Sequence, residues 1–331
     1  MNVAVRLPNW LGDTVMAVPT LAAIRAEWPE ARVLAAGPWA ALLSQQGLAD
    51  VLLGYPRTWG GRLRAADTAC AFAPDLAIML PNSLESALAA WYWGARRRVG
   101  FAAGARSGLL TDAVPVPAPR PHQIDEYLLL AERCGVPVAA RQPMLTPPAP
   151  DSIERRDAAR LLEGVAGGRG QAPRIGVHLG AAYGPSKLWP LERVAEFCRL
   201  LDADGTRAIL LGAPGDADVA AAITAIAPAA SLVGRDTPAL LPAVLAELDV
   251  LVSGDTGVAH LAAALGTPVV ALFGPTDPAL SAPRGHALVV TNPVPCSPCF
   301  YRHCPIEHPC LRDIDAARVR SVTLGMVERV A

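Results

Sequence analysis

The sequence predicts an α/β protein made of two doubly wound domains, and three observations support this prediction. Short apolar segments, typical of buried parallel strands, alternate with segments of helical periodicity along most of the chain. A length of 331 residues suits two domains of ordinary size. A proline-rich segment, PMLTPPAP at 143–150, separates the halves, so we place the domains at residues 1–150 and 151–331.

The net charge, the first residues and the absence of two nucleotide-binding motifs argue against several other classes of protein. The formal net charge of −1 provides no basic surface for nucleic acid. The first residues, MNVAVRLPNWLGD, lack the basic region that precedes the apolar core of a secretory signal, so we expect a cytoplasmic protein. Neither a G-x-G-x-x-G motif nor a Walker A motif is present, which removes the main support for hydride transfer or for nucleoside triphosphate hydrolysis.

The first half opens with a strand at 2–7, a tight loop and a helix at 13–27, in which Pro19 predicts a kink or a late start. Strands follow at 32–36, 51–53, 76–80 and 96–101, with helices at 39–46, before 72, at 83–94 and at 122–135. Asp13 lies just after the first strand, at the edge where open α/β sheets bind ligands. A carboxylate there can be a general base or a helix cap, and the sequence leaves both open.

The second half begins with a helix at 151–165, for which Asp151 is the expected N-cap. Strands are predicted at 174–179, 208–211, 231–233, 248–253 and 269–273, with helices at 191–203, after 216, at 237–247 and at 258–265. Three polar loops, 180–187, 212–216 and 253–257, each follow a strand. Because the carboxyl ends of parallel strands meet at one edge of a sheet, these loops together can hold a base, a ribose and a diphosphate.

The most informative stretch is 251–278, LVSGDTGVAHLAAALGTPVVALFGPTDP. It predicts a strand, a tight loop, a helix and a second buried strand. Thr256 and His260 share a helix side roughly opposite the apolar residues, and Gly257 leaves the first turn bare for an anionic ligand. The alternative is an ordinary βαβ unit with a solvated polar loop.

One residue is compositionally unique. Of the 29 basic residues, Lys187 is the single lysine, and it lies in a Gly/Pro loop after a strand. A compact ammonium suits one phosphate oxygen, whereas arginine presents a wide fork. The position indicates a phosphate contact, although chance can also leave one lysine anywhere on a surface.

Four cysteines cluster near the C-terminus, and their spacing is Cys296-x2-Cys299-x4-Cys304-x5-Cys310. The first pair has the spacing of half a zinc site, but the second pair does not. A disulfide set is disfavoured in the cytoplasm. A structural zinc site, an unligated loop and a redox-labile pair all remain open, and a structural role is favoured over catalysis.

The motifs LPNWLGD at 7–13, GAAYGPSKLWP at 180–190, the 253–278 segment and the cysteine tail together resemble glycosyltransferase family 9, the lipopolysaccharide heptosyltransferases. The resemblance covers nearly the whole chain. It implies a GT-B fold, in which two Rossmann-like doubly wound domains face a central cleft. The N-terminal domain would bind the acceptor and the C-terminal domain the ADP-sugar. It also implies an inverting transfer of heptose from ADP-L-glycero-β-D-manno-heptose to the inner core of lipopolysaccharide, without a catalytic metal or other cofactor.

The same resemblance assigns roles to single residues. Asp13 matches the candidate base that deprotonates the acceptor hydroxyl. Lys187 matches a phosphate-contacting lysine, and the diphosphate-binding helix start is matched by Asp255, Thr256, Gly257 and His260. Asp216 falls where the family has a ribose-contacting acid, or it is only a cap. The expected partners are ADP-heptose and a lipid A-core oligosaccharide at the inner-membrane face. We expect a monomer without nucleic acid, either free in the cytoplasm or peripheral on the cytoplasmic face of that membrane.

Three alternatives remain at this level. A family 9 transferase with another sugar or acceptor would share every motif. A two-domain sugar-nucleotide epimerase would need paired acid and base groups, for which only Asp13 and His260 stand out. A nucleotide-binding module without catalysis would not depend on Asp13 at all.

Overall fold

The computed structural model describes residues 1–56, 58–166 and 172–329. The chain divides into two compact units, Met1–Met144 and Leu145–Ala331. The division falls inside the proline-rich segment 143–150. Among the described residues, no helix is both long and apolar enough to cross a membrane.

The first unit contains a parallel sheet that has six strands within the described residues, in the order β3-β2-β1-β4-β5-β6. Its elements are β1 (Asn2–Arg6), α1 (Leu11–Met16), α2 (Val18–Glu27), β2 (Arg32–Gly37), β3 (Val51–Gly54), α3 (Trp59–Ala71), β4 (Leu76–Met79), α4 (Leu84–Tyr92), β5 (Arg97–Phe101), β6 (Asp112–Val114) and α5 (Gln123–Arg133). The strand order reverses direction between β1 and β4, which defines the switch point where such sheets bind ligands.

The second unit repeats this plan, again with six parallel strands in its described part, in the order β12-β11-β10-β7-β8-β9. Its elements are α6 (Ile153–Ala166), β7 (Ile175–His178), α7 (Leu191–Ala203), β8 (Ala208–Leu211), α8 (Ala217–Ile226), β9 (Ala229–Ser231), α9 (Leu241–Ala246), β10 (Val250–Gly254), α10 (Gly257–Ala264), β11 (Val269–Phe273), α11 (Pro278–Ser281), β12 (Ala287–Thr291), α12 (Pro309–Arg312) and α13 (Ala316–Glu328). The switch point here lies between β7 and β10.

Burial explains why these segments are strands. Every residue of β4, β8, β10 and β11 is buried, as expected for parallel strands covered on both faces. On the helical side, α7 packs against α8 and α13, and α10 packs against α9. Each unit therefore has its own apolar core, and its strand ends and loops are left to carry chemistry.

The structure corrects several details of the sequence prediction. The predicted helix 13–27 is two helices, and Pro19 is the second residue of α2, where its missing N–H costs nothing. The predicted helix 39–46 is only a short 3-10 turn, Ala40–Leu43. Asp151 is not the cap of α6, because Ser152 Oγ accepts the Arg155 N–H at 3.2 Å.

The edge strands β6 and β12 and the C-terminal helix α13 were not predicted. β6 has three residues and none of them is fully buried, and four of the five residues of β12 are at least partly exposed. Such strands show little of the continuous apolar pattern that identifies a covered strand. Missing them left both predicted sheets one strand short.

Candidate active site

The second unit brings two of the three predicted polar loops together at its switch point. β7 and β10 are paired in register, with His178 opposite Ser253. The loop 180–187 follows β7, and the start of α10 follows β10, so the two lie side by side. The backbones approach closely, because a Cβ at Gly254 would lie 2.6 Å from the Lys187 carbonyl oxygen. Only glycine fits there.

Lys187 is held by an ion pair at this edge. Its Nζ lies 2.5 Å from Asp255 Oδ2, and the two side chains are 12% and 7% exposed. Thr276 Oγ1 donates to the same carboxylate oxygen at 2.7 Å. A largely buried pair of this kind is held in one geometry, because moving either partner leaves the other charge uncompensated. The sequence prediction selected Lys187 and Asp255, but it missed Thr276.

The side chain of the N-cap residue does not cap the start of α10. Thr256 is the N-cap in an extended conformation and makes no side-chain cap hydrogen bond. Its hydroxyl instead lies 2.9 Å from Ser253 Oγ. The first-turn N–H groups, beginning at Gly257, are thus available to an anion, and no acidic residue in that turn opposes one.

His260 is buried, which the predicted amphipathic helix did not suggest. All residues of α10 from Val258 to Ala264 are buried, because this helix packs against α9 and the strands β10 and β11. His260 is 5% exposed, and its Nε2 lies 4.0 Å from Asp255 Oδ1. It therefore lies behind the carboxylate that holds Lys187, and does not share a solvent-facing side with Thr256.

Two acids lie at the third polar loop: Asp216 within the loop 212–216, and Asp236 from the segment after β9. Asp216 Oδ2 accepts the Ala213 N–H at 2.8 Å, which caps the 3-10 turn Pro214–Asp216, whereas Asp216 makes no side-chain cap hydrogen bond to α8. The carboxylate fits because Gly180 and Gly212 have no Cβ; their Cβ atoms would lie 2.7 and 2.8 Å from Oδ2. Nearby, burial and the charge of Asp216 raise the pKa of Asp236 to about 6. Nothing in the sequence around Asp236 had indicated this.

Asp13 lies in the first unit, in the first turn of α1. The N-cap of this helix is Trp10, and Asp13 is the third helical residue and half-buried, so Asp13 does not occupy the N-cap position. Its neighbour is Tyr127, whose hydroxyl pKa is raised well above its usual value by burial and, next, by the charge of Asp13. The carboxylate is thus placed after β1, at the carboxyl edge of the first sheet.

Buried arginine also marks the first sheet edge, and the sequence prediction did not select it. Arg6 ends β1, is 2% exposed, and lies 3.6 Å from Glu85 Oε2. Its guanidinium stacks on the Tyr55 ring at 4.4 Å and donates to Asn9 Oδ1 at 2.9 Å. Burial lowers its pKa from the usual value. An arginine within the apolar run NVAVRL was the available signal.

The cysteine tail lies against the second sheet. The pKa of the buried Cys310 thiol is raised by burial and then by Cys299, Cys296 and Cys304. Within the part of the chain that the structure describes, no three His, Cys, Asp or Glu side chains converge closely enough to hold a metal ion. This arrangement gives the zinc expectation no geometric support, and it stays a prediction.

Comparison with known proteins shows the family to which the chain is similar. The profile of glycosyltransferase family 9 (heptosyltransferase) matches residues 62–309. The chain is 30% identical over 303 residues to lipopolysaccharide heptosyltransferase 2 of Salmonella typhimurium, with 86% of each chain covered. It is 27% identical over 297 residues to lipooligosaccharide heptosyltransferase 2 of Haemophilus influenzae, again with 86% of each covered.

Solved structures agree as well. The structure of E. coli ADP-heptose lipopolysaccharide heptosyltransferase II matches with a TM-score of 0.82 and 25% identity, covering 100% of this chain and 99% of that chain. A family 9 glycosyltransferase from Veillonella parvula matches in fold with a TM-score of 0.85 at 19% identity, covering 99% and 97%. The two Rossmann-like units are those of the GT-B fold, as predicted, and the chain belongs to glycosyltransferase family 9, the heptosyltransferases.

Proposed function

We propose that this enzyme transfers heptose, with inversion, from ADP-L-glycero-β-D-manno-heptose to the inner core of lipopolysaccharide. The observation that carries the proposal is the fixed Lys187 ammonium beside the uncapped start of α10, at the switch point of the second sheet. The similar heptosyltransferases named above support the choice of sugar and acceptor. The second unit would bind the donor and the first unit the acceptor.

In the proposed reaction, the Asp13 carboxylate takes the proton of the acceptor hydroxyl. The acceptor oxygen attacks the anomeric carbon, and the bond from that carbon to the ADP oxygen breaks with its electron pair going to ADP. Lys187 and the N–H groups that begin at Gly257 stabilise the charge that develops on the departing diphosphate. An ammonium has three donors, so Lys187 can keep its bond to Asp255 and still reach a phosphate oxygen.

Asp255 and His260 take a different place in this proposal from the one the resemblance implied. A carboxylate in direct contact with a diphosphate would repel it, and Asp255 already accepts from Lys187 and Thr276. We assign Asp255 to orienting Lys187 and His260 to supporting Asp255. Thr256 and Gly257 remain the diphosphate contacts, and Asp216 remains the ribose contact in addition to its capping bond.

The proposal also covers metal ions, oligomeric state and location. Catalysis needs no metal, because Lys187 and the α10 start supply the positive charge for the leaving group. A structural zinc at Cys296, Cys299, Cys304 and Cys310 is retained only as a question for elemental analysis. We propose that the protein acts as a monomer in the cytoplasm, at the inner face of the inner membrane where a lipid A-core oligosaccharide would be met.

The deciding experiment incubates the purified protein with ADP-heptose and a heptose-bearing lipid A core, and follows the acceptor by mass spectrometry. We expect a gain of one heptose and an equal amount of ADP. ADP-glucose and GDP-mannose serve as alternative donors, and preference for either would replace heptose as the substrate. ADP release without a gain in acceptor mass would overturn this choice of acceptor, and ADP binding without turnover would overturn the transferase proposal.

A further inference from the structure

The cysteine-bearing segment 296–310, here called the thiol segment, lies across two loops of the proposed donor site. On one side, Cys299 N and Phe300 N both donate to the Pro275 carbonyl, at 3.0 and 2.8 Å. Ser297 Oγ donates to the Gly274 carbonyl at 2.5 Å. The thiol segment is therefore anchored to the loop after β11, directly beside Thr276.

On its other side, the thiol segment holds the loop that carries Lys187. Ser186 N donates to the Arg302 carbonyl at 3.2 Å. The approach is close, because a Cβ at Gly184 would lie 2.9 Å from that same carbonyl oxygen. The two loops that fix Lys187 and Asp255 are thus both hydrogen-bonded to the thiol segment.

Tyr183 is the side chain through which the thiol segment meets Lys187. Its hydroxyl donates to the Phe300 carbonyl at 2.5 Å. Lys187 Nζ lies 4.7 Å from the centre of its ring, and the Arg302 guanidinium carbon lies 5.2 Å from the same centre. The Lys187 ammonium is thus in contact with two groups that attract a cation, the Asp255 carboxylate and the face of the Tyr183 ring.

We propose that Tyr183 is a positioning residue for Lys187, and that the thiol segment fixes Tyr183 through Phe300 and Arg302. The inference rests on the proposed function, in which Lys187 contacts the donor diphosphate. A lysine side chain has four flexible methylene groups, and ordering it costs conformational entropy when the ligand binds. The Tyr183 ring adds a second contact to the Asp255 ion pair and further restricts the ammonium, so less conformational entropy is lost when ADP binds.

The test measures ADP affinity by calorimetry in a set of variants, and thermal unfolding checks that each variant is folded. Tyr183→Leu removes the ring and the hydroxyl, and we expect a roughly 3- to 30-fold weaker Kd for ADP, the range of a cation–π contact. Tyr183→Phe keeps the ring and should retain most of the ADP affinity, although it loses the hydrogen bond from the hydroxyl to the Phe300 carbonyl. Tyr301→Leu is the matched control: Tyr301 is the neighbouring tyrosine of the thiol segment and is 60% exposed, so its loss should leave Kd unchanged.

A double-mutant cycle with Lys187→Met separates positioning from direct contact. If Tyr183 acts through Lys187, Tyr183→Leu should have no further effect on Kd in the Lys187→Met protein. An equal loss in both backgrounds would show that Tyr183 contacts ADP or supports the fold, and it would overturn the inference alone. So would an unchanged Kd in Tyr183→Leu. An unchanged Kd and turnover in Lys187→Met would instead overturn the proposed role of Lys187, and the inference with it.

Discussion

The two sheets share one strand order but end their equivalent strands, β1 and β7, in different chemistry. β1 ends in Arg6, whose buried guanidinium is met by Glu85, Asn9 and the Tyr55 ring. β7 ends in His178, whose Nδ1 is buried with no hydrogen-bond partner among the described residues. The fixed cation at the second edge comes from a loop instead, as Lys187. The same topology therefore offers the same place for a ligand, but different charges at that place.

This difference separates a structural cation from one that can serve a ligand. The Arg6 guanidinium is bound by groups of its own unit, namely Asn9 in the loop after β1, Glu85 in the first turn of α4 and the ring of Tyr55. Lys187 has one described hydrogen bond, to Asp255, and two further N–H donors. In the proposed mechanism, the first unit supplies a carboxylate, Asp13, and the second unit supplies a cation, Lys187, for the anionic leaving group.

The largest effect is expected from removing the carboxylate of the first edge. Asp13→Asn keeps the shape of the side chain but cannot accept a proton at neutral pH, so kcat should fall by roughly 10²–10⁴, the usual worth of a general base. ADP affinity, which belongs to the second unit, should not change. Steady-state kinetics and calorimetry on the same preparation check both. Glu30→Gln, at an exposed acid of the same unit, is the control, and near-normal turnover in Asp13→Asn would remove Asp13 from the mechanism.

A smaller loss should follow from changing the shape of the cation at the second edge. Lys187→Arg keeps the charge, but the planar fork cannot occupy the position between Asp255 and the Tyr183 ring in the same way. We expect kcat/KM to fall by roughly 10-fold or more, below the 10²–10³ that follows complete loss of one such donor. The exposed exchange Arg207→Lys is the matched control. Full activity in Lys187→Arg would make the single lysine of this chain a coincidence.

The sequence was sufficient for most of the fold because the inner strands of both sheets, such as β4, β8, β10 and β11, are covered on both faces and have continuous apolar runs. It failed at β6 and β12, where partly exposed edges carry no such pattern. For the site, it found residues that lie in contiguous loops after strands, such as Lys187 and Asp255. It missed Thr276, Tyr183 and Arg6, because their roles depend on partners that the fold brings from elsewhere in the chain.

The buried imidazole of His178, unlike the buried guanidinium of Arg6, should make the stability of the protein depend on pH. Burial lowers the pKa of His178 to about 4 from the usual 6.5. Below pH 6.5 the unfolded chain therefore takes up a proton that the folded protein refuses, so the free energy of unfolding should fall as the pH drops from 6.5 to about 4. The loss should reach at most roughly 3 kcal/mol.

Denaturant unfolding at several pH values measures this effect. His178→Gln cannot titrate, so it should lose less stability between those pH values than the parent protein. His286→Gln, at an exposed histidine of the same unit, should keep the parental slope. Identical slopes in the parent and His178→Gln would show that the buried Nδ1 does not control stability in this range.

The smallest expected effect is that of chelation, and it decides whether the second edge works by protein charges alone. Lys187 and the start of α10 supply positive charge to the leaving diphosphate in the proposed mechanism, so a short assay in EDTA should give an unchanged kcat. Loss of turnover that magnesium specifically restores would overturn this and make the second edge a metal site.

The cysteine tail needs a separate measurement, because a structural ion would act on stability before it acted on chemistry. Elemental analysis of protein purified without chelator, together with thiol titration of the segment holding Cys296 and Cys310, answers that question. About one zinc per chain with Cys296, Cys299 and Cys304 protected would establish a closed structural site. Substoichiometric metal with those three thiols reactive would leave the thiol segment held by protein contacts such as those to Pro275, Ser186 and Tyr183.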